Sequence, residues 1–541
     1  MDVARAVGET LVRCGVDTVF GVVGSGNFLT TTAMVGAGAR YVAARHEGGA
    51  ATMADAYART SGRVAGLSVH QGCGFTNALT GITEAAKSRT PLVVVTGEAT
   101  SRRSNFFVDQ PALAAAVGAV PMRIGSAADA VAVAAEAVAV ARGGRRVVVL
   151  NLPLDVQAEQ APAGPVAVPD PPAPPPPDPA AVARLAEALR SARRPVFVAG
   201  RGARGARSEL VELADRCGAL LATSAVARGL FRGLPWDLDV SGGFATPLAA
   251  ELVSGADLVV GWGCALNMWT TRHGRLIADD AAVVQVDLED DALGAQRRID
   301  LGVVGDVGAV ARAATALLPG TPAGYRTPEV RRALAGRGRW RDEPFADAGG
   351  RGRIDPRTLT IALDDLLPAE RVVAVDSGNF MGYPSMFLDV PDEAGFCFTQ
   401  AFQSVGLGLA TAIGAALARP DRLPVAALGD GGALMGAAEL ETVVRLGLPM
   451  VVVVYDDAGY GAEVHHFGPA GHPLDTVRFP ETDFAAIARG HGFASVPVRE
   501  PGDLAAVGEW LAGPRTAPLL VDAKVTRDEP SWWLEEAFRG H

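Results

Sequence analysis

The sequence is poor in cysteine. Five are scattered through 541 residues (Cys14, Cys73, Cys217, Cys264 and Cys397), an odd number without a CxxC pair. That excludes a disulfide framework, argues against structural zinc, and fits a reducing, cytoplasmic setting. Long apolar runs are also missing. No stretch approaches the ~18 uncharged apolar residues of a membrane-spanning helix, so no span is expected. The opening MDVARAVGETLVRCGV is not a secretory signal, because Asp2, Arg5 and Glu9 interrupt it; Val3, Val7, Leu11 and Val12 fall at helical spacing instead. Nor is there a basic surplus. The net charge of −11 speaks against a nucleic-acid partner, which calls for a basic stripe. Aromatics make up only 6% of the chain while Ala, Gly and Val dominate, a balance that fits an α/β protein.

The length exceeds one ordinary core and suggests about three domains. A proline-rich run at 162–179, containing PDPPAPPPPDP, cannot enter a sheet or helix interior and reads as an extended linker. At 336–354, Gly, Arg and Asp replace the periodic apolar residues. The expected units are therefore residues 1–161, 180–335 and 355–541. Each alternates helical stretches with short Val-rich runs: AGLSVH and PLVVVTG, then RPVFVAG, ADLVVGWG and AAVVQVDL, then RVVAVDSG, PVAALGDGG and PMVVVVYDD. Such runs, ending in Gly or Asp, mark buried parallel strands. The expected fold class is α/β, three doubly wound parallel-sheet domains in series. Ligands of such sheets bind beyond the carboxyl ends of the strands, so strand-ending residues carry the functional information.

Between Pro424 and Gly461 a strand runs into Gly429-Asp430-Gly431-Gly432. A helix with apolar positions Leu440, Val443, Val444 and Leu446 follows, and the next strand ends at Asp456-Asp457-Ala458-Gly459. If the two strands are neighbours, about 5 Å apart, their acidic ends converge on one cation. Magnesium takes carboxylate or carbonyl oxygens together with phosphate oxygens. The glycines let a ligand approach the backbone, and a helix N-terminus offers free N–H groups to a phosphate. The segment GDGGALMGAAELETVVRLGLPMVVVVYDDAGYG resembles the thiamine-diphosphate motif, in which GDG is followed about thirty residues later by Asn-Asn; here Asp456-Asp457 stands in that place. The resemblance implies that Asp430 and Asp457 are side-chain ligands of magnesium, that Gly459 adds its backbone carbonyl, and that Gly429, Gly431 and Gly432 border the diphosphate.

A second segment, YVAARHEGGAATMADAYARTSGR followed by VHQGCGFTNALTGITEAAKSRTPLVVVTGE, resembles the pyrimidine-binding domain of the family that includes acetolactate synthase, pyruvate decarboxylase and benzoylformate decarboxylase. Glu47 falls on that family's activating glutamate. A carboxyl beside the pyrimidine nitrogen shifts thiamine diphosphate to its imino form, which takes the thiazolium proton. Such an acid works best where burial raises its pKa, and the small, largely apolar neighbours Gly48, Gly49, Ala50, Ala51 and Met53 suit that. Read alone, Glu47 is equally a glutamate favoured at a helix start. The resemblance further implies that Val405, in FQSVGLGLATAIGAAL, supports the bent cofactor and that the Gln403 carbonyl faces its amino group. Gly378 and Asn379 would line the diphosphate. Glu47 and Asp430 would meet across a subunit boundary, making a homodimer or tetramer the working unit.

On the substrate side, His70 ends the strand LSVH and Ser25 lies in VFGVVGSGN; both match active-site positions of benzoylformate decarboxylase. The plainer readings are a satisfied buried histidine and a helix cap. Glu463, in GYGAEVHHFG, matches by spacing a catalytic glutamate of pyruvate decarboxylase; His465 and His466 follow, and one helical turn cannot aim both inward. In the middle block, Gly200, Gly202 and Gly205 form a GxGxxG-like turn, a weak signal by itself. GCALNMWTTRHGRL replaces the Arg-Phe-Asp-Asp-Arg stretch of acetolactate synthases, so FAD is not expected, and Asp287 reads as an ordinary strand end. The expectation is a thiamine-diphosphate and magnesium enzyme acting on a 2-oxo acid, an acetolactate-synthase-like carboligase with an aldehyde or ketone acceptor. A simple 2-oxo acid decarboxylase is the alternative; a non-catalytic paralogue or an FAD-binding oxidoreductase are the readings of another class. The tail EPSWWLEEAFRGH reads either as a cover over the site or as surface packing.

Overall fold

The Val-rich runs pair as parallel strands in three sheets of six. These belong to a computed structural model that describes residues 1–162, 173–320 and 324–534. Most of the proline-rich stretch, residues 163–172, lies outside the described residues, as do 535–541 of the tail. The first sheet holds β1 (Thr18–Gly21), β2 (Arg40–Ala43), β3 (Ala65–Val69), β4 (Leu92–Glu98), β5 (Val120–Arg123) and β6 (Val147–Pro153), in the order β2-β1-β3-β4-β6-β5. The second holds β7 (Pro195–Ala199), β8 (Leu220–Thr223), β9 (Asp237–Val240), β10 (Leu258–Trp262), β11 (Ala282–Asp287) and β12 (Leu301–Val304), in the order β12-β11-β10-β7-β8-β9. The third holds β13 (Arg371–Val375), β14 (Phe396–Phe398), β15 (Leu423–Gly429), β16 (Val451–Asp456), β17 (Ala494–Val498) and β18 (Leu519–Lys524), in the order β14-β13-β15-β16-β18-β17. The first and third sheets thus have the same strand order.

Strand order decides where a crevice opens. In the first and third sheets it reverses between β1 and β3 and between β13 and β15, so ligand space lies at the carboxyl ends of those pairs. The middle sheet reverses between β7 and β10, the arrangement of dinucleotide-binding sheets. There the protein fills its own crevice. Gly200 donates its N–H to Trp262 O (2.8 Å) and Gly202 to Gly263 O (3.1 Å). A Cβ on Gly202 would come within 2.8 Å of the Gly263 Cα. Gly200 and Gly202 therefore serve backbone packing, whereas Gly205 has open space and a left-handed φ of 87°.

The first and third domains share one core. Helix α1 (Glu47–Ser61) leads from β2 to β3, helix α2 (Cys73–Lys87) from β3 to β4, and helix α3 (Gly408–Ala418) from β14 to β15. His46 caps α1 by accepting the Gly48 N–H on Nδ1, and Gly62 ends it in the left-handed conformation. Helices α1 and α3 pack face to face through Ala50, Met53, Ala54, Leu409, Ala410 and Ile413, all buried. Contact is so close that a Cβ on Gly414 would lie 2.2 Å from the Met53 carbonyl oxygen. Beside this seam Arg59 donates to Asp55 Oδ1 (2.8 Å), Glu84 Oε1 (2.6 Å) and the Phe398 carbonyl (3.1 Å). All three charged side chains are buried, and removing one partner of such a group strands the others at a cost of ~3–5 kcal/mol.

One expectation needs correction. The single helix anticipated after Gly432 is broken into Asp430–Met435, a 3-10 turn at Ala437–Glu439, and Leu440–Arg445. Gly436 leaves helical geometry (φ −95°, ψ 3°), which turns Glu439 toward the first domain. Replacing Gly414 by Val should cost about 1–3 kcal/mol, read as a lower urea midpoint. Gly336→Ala, with nothing within 4 Å of the new Cβ, should be neutral or slightly stabilising.

Candidate active site

β15 and β16 are hydrogen-bonded neighbours with Gly429 opposite Tyr455, so Asp430 and Asp457 leave adjacent strand ends. Burial pushes the Asp430 carboxyl up to about 6; the charge of Asp456 adds to this, and the N–H groups of Gly431 and Gly459 pull back. The Gly459 N–H donates to Asp430 Oδ2 at 3.0 Å. Burial, then Asp430, pushes Asp457 up to about 8, opposed by a hydrogen bond from Asn379. Asp456 is already engaged, its Oδ2 accepting from Lys524 Nζ at 2.6 Å. Two half-buried acids, each held above the ordinary carboxylate range, fit a divalent cation between them. Among the described residues the Gly459 carbonyl accepts no hydrogen bond, so it is free to join them. Two carboxylates and a carbonyl are an all-oxygen donor set, which suits magnesium rather than zinc.

Around this pair the backbone is kept bare. Gly378 adopts φ 142°, a glycine conformation, and a Cβ on Gly431 would lie 2.7 Å from Tyr460 Cε1. On Gly432 it would lie 2.2 Å from Asp376 Oδ2 and 3.4 Å from Val405 Cγ1. Asp376, passed over in the sequence, is fully buried and accepts N–H bonds from Ser377 (2.8 Å), Gly406 (3.0 Å) and Leu407 (3.2 Å). It therefore anchors the chain directly after Val405, which is exposed in the single chain, as is Gln403 at φ +60°. Asn379 is held from behind: Ser531 Oγ (2.7 Å) and Trp533 Nε1 (2.8 Å) both donate to its carbonyl. The tail, as far as Leu534, thus packs against Asn379, whose side chain also bonds Asp457.

The first domain carries the other group. Ser25 and His70 follow β1 and β3, flanking that sheet's crevice. His70 Nδ1 lies 2.8 Å from the Gln71 carbonyl and must donate to it, which leaves Nε2 as an acceptor; the Ser25 hydroxyl, at 3.4 Å, donates there. Glu47, the first residue of α1, accepts from Asn77 Nδ2 (3.0 Å). A Cβ on Gly74 would lie 3.3 Å from Glu47 Oε1 and 3.1 Å from His70 Cβ, so both side chains flank one glycine. Within a single chain Glu47 is half-buried, short of the enclosure anticipated. Glu463 is exposed on the helix Gly461–Phe467, and neighbouring His465 has its pKa pushed down by burial. Among the described residues no hydrogen bond or ion pair joins Glu463 to either group, or the group of Ser25, Glu47 and His70 to that of Asp430 and Asp457. Asn77 and Asp376 were missed for different reasons: nothing local marks Asn77, whereas Asp376 ends a Val-rich strand and was findable by that rule.

An acid pair at adjacent strand ends of a parallel sheet, bordered by bare backbone, is an arrangement suited to a phosphate-bearing ligand on an α/β protein. Comparison with known proteins says which. Residues 1–123 match the profile of the thiamine pyrophosphate enzyme N-terminal TPP binding domain, 182–314 that of the central domain, and 376–523 that of the C-terminal TPP binding domain. The chain belongs to the thiamine pyrophosphate enzyme family. It is 30% identical to a sulfoacetaldehyde acetyltransferase of Rhodobacter capsulatus, over 100% of this chain and 96% of that protein. It is 29% identical to the acetolactate synthase large subunit of Parasynechococcus marenigrum (97% and 88% covered), and 30% to a probable 2-ketoarginine decarboxylase of Pseudomonas aeruginosa (92% and 89%).

Asp430 and Asp457 both titrate above the ordinary carboxylate value, so the folded metal-free protein holds more protons than the unfolded chain. The stability they contribute is fully present below about pH 4 and lost as pH rises through about 6 and about 8. The melting temperature of metal-free protein should therefore fall between pH 5 and pH 8.5. A divalent cation held by the pair would require both carboxylates deprotonated, so added magnesium with thiamine diphosphate should flatten that fall. Differential scanning calorimetry at several pH values, on wild type and Asp430→Asn, checks both.

Proposed function

We propose that this thiamine-diphosphate enzyme is a magnesium-dependent carboligase that cleaves a 2-oxo acid donor and passes the acyl portion to an aldehyde or ketone acceptor. The observation that carries the thiamine-dependent part of this reading is the Ser25–His70 hydrogen bond beside Glu47, while group transfer to an acceptor rests on the named relatives. That bond puts a proton-transfer pair next to an activating acid, at the crevice of the domain that matches the family's N-terminal unit.

When bound, thiamine diphosphate supplies a nucleophilic carbon and an electron sink for cleavage next to a carbonyl. The chain's own residues do the rest. Asp430, Asp457 and the Gly459 carbonyl hold magnesium, with Gly378, Asn379, Gly429, Gly431 and Gly432 bordering the diphosphate. Val405 and the Gln403 carbonyl support the pyrimidine side. Glu47 presents its carboxyl to the pyrimidine, oriented by the Asn77 amide that donates to it. His70 Nε2, with Ser25 as its donor, exchanges a proton with a substrate oxygen. Glu463 is a second candidate for proton transfer. Each half-site is rimmed by exposed apolar side chains, Phe28, Leu29 and Phe106 on one and Phe402, Leu434 and Met435 on the other. Those rims support a homodimer or tetramer in which one protomer's Glu47 meets its partner's metal cradle. The free cysteines support a reducing, cytoplasmic setting.

The similar proteins named as an acetyltransferase and an acetolactate synthase support group transfer to an acceptor; the one named as a decarboxylase supports simple aldehyde release as the second reading. The first test is calorimetric titration of metal-stripped protein with thiamine diphosphate. Binding should require magnesium, and Asp430→Ala should weaken it by more than about tenfold. Failure of well-folded wild type to bind at millimolar cofactor sinks the reading. Incubation with 2-oxo acids, with and without an acceptor aldehyde, then separates the two activities: a changed product supports the carboligase, and an aldehyde that ignores the acceptor supports the decarboxylase. His70→Ala should lower kcat about 10²–10⁴-fold while leaving cofactor affinity intact.

A further inference from the structure

We propose that Glu84 and Glu439 are reciprocal positioning residues, each fixing the half-site carried by the other's domain; this rests on the thiamine-diphosphate reading above. The first and third sheets share one strand order, and their connections correspond. In each, the link from second to third strand is a cofactor-facing turn followed by a core helix, α1 or α3. In each, the link from third to fourth strand carries a buried glutamate. Glu84 lies near the end of α2 and Glu439 in the 3-10 turn Ala437–Glu439. Neither serves the turn of its own domain.

Glu439 reaches into the first domain. Its Oε1 accepts the N–H groups of Arg45 (3.0 Å) and His46 (3.1 Å), the two residues before Glu47. Gly49 admits it, since a Cβ there would lie 2.4 Å from Glu439 Oε1. Thr442 Oγ1 donates to Glu439 Oε2 at 2.6 Å. Glu84 reaches into the third domain. Its Oε1 accepts the Ala401 N–H (3.0 Å) and its Oε2 the Phe402 N–H (2.6 Å), just before Gln403 with its left-handed backbone. Arg59 balances the charge. Glu84 is 0% and Glu439 3% exposed, so water cannot stand in for either carboxylate. Charge-assisted bonds to two successive N–H groups fix the direction of a turn as well as its place. Glu439 thus sets where the Glu47 carboxyl stands, and Glu84 sets the Gln403 carbonyl and Val405.

The two clasps differ in a way that makes them separable. The shorter backbone bonds to Glu439 fall on Oε1, the Arg45 N–H reaching Oε2 only at 3.3 Å, so glutamine can keep the two bonds to Oε1 and turn its NH₂ to the Thr442 hydroxyl. Those to Glu84 are split between two oxygens. Glu84→Asp keeps the charge opposite Arg59 but withdraws the carboxylate from the turn.

The test uses full-length protein with thiamine diphosphate and magnesium. Affinity is read by calorimetry and Glu47 action by NMR of deuterium exchange at the thiazolium carbon, with circular dichroism confirming the fold. Glu439→Ala should slow exchange at least about tenfold while affinity stays within about twofold, and Glu439→Gln should restore exchange. Glu84→Asp should weaken affinity about tenfold. Folded variants with wild-type affinity and exchange overturn the proposal. So does a Glu439→Gln variant as impaired as Glu439→Ala, or a Glu439→Ala variant that loses affinity and exchange alike. A wild type that binds no cofactor removes the functional reading and this one with it, whereas unaffected variants of a binding wild type remove this one alone.

Discussion

The contact between α1 and α3 sets the geometry on which the rest of the molecule depends. Two helices approach so closely only where side chains are small, and Gly414 against the Met53 carbonyl marks the tightest point. Each helix begins at or just after a turn that carries candidate site residues, Glu47 on one and Gln403 and Val405 on the other, so the helix seam also fixes how far apart those turns lie and how they are inclined. Buried alanines, leucines and methionine around the seam provide the cohesion, each large side chain worth ~1.5–3 kcal/mol. Close packing leaves no slack for the turns to drift.

Against that rigid frame the acid pair is locally unfavourable. Asp430 and Asp457 are half-buried beside each other and, among the described residues, neither forms an ion pair, while Asp456, next to Asp457, is neutralised by Lys524. The contrast within one dipeptide is informative. One aspartate is paired for the fold, and its neighbour is left wanting a partner. A site that is locally costly and globally tolerated is a common mark of binding function.

Much of this was legible in the sequence because it is local. Val-rich runs ending in Gly or Asp became parallel strands, and the glycines and acid of Gly429–Gly432 sit at a strand end, as their chemistry required. Glu47 fell at a helix start for the same reason. What stayed hidden depends on distant parts of the chain. Glu84 looks like a helix-surface glutamate until α3 arrives, and Glu439 like one more charge in a continuous helix until Gly436 breaks it. Asn77 meets Glu47 only because α2 returns alongside α1. Tail residues Ser531 and Trp533 read as ambiguous because their partner, Asn379, lies some 150 residues earlier. Periodicity reports which face is buried, and it is silent on which buried polar groups will find each other.

The crossed carboxylates bear on how such a protein can be assembled from parts. Three matched segments invite the idea of interchangeable modules, with a first domain taken from one relative and a third from another. Here each of those domains carries the clamp for its counterpart, so their inheritance is coupled. A hybrid would need compatible partners at four places at once, the two glutamates and the two turns they grip. The middle domain donates neither glutamate and receives neither grip. On this feature alone, recombination between relatives should be tolerated at its borders and penalised when it separates the outer pair.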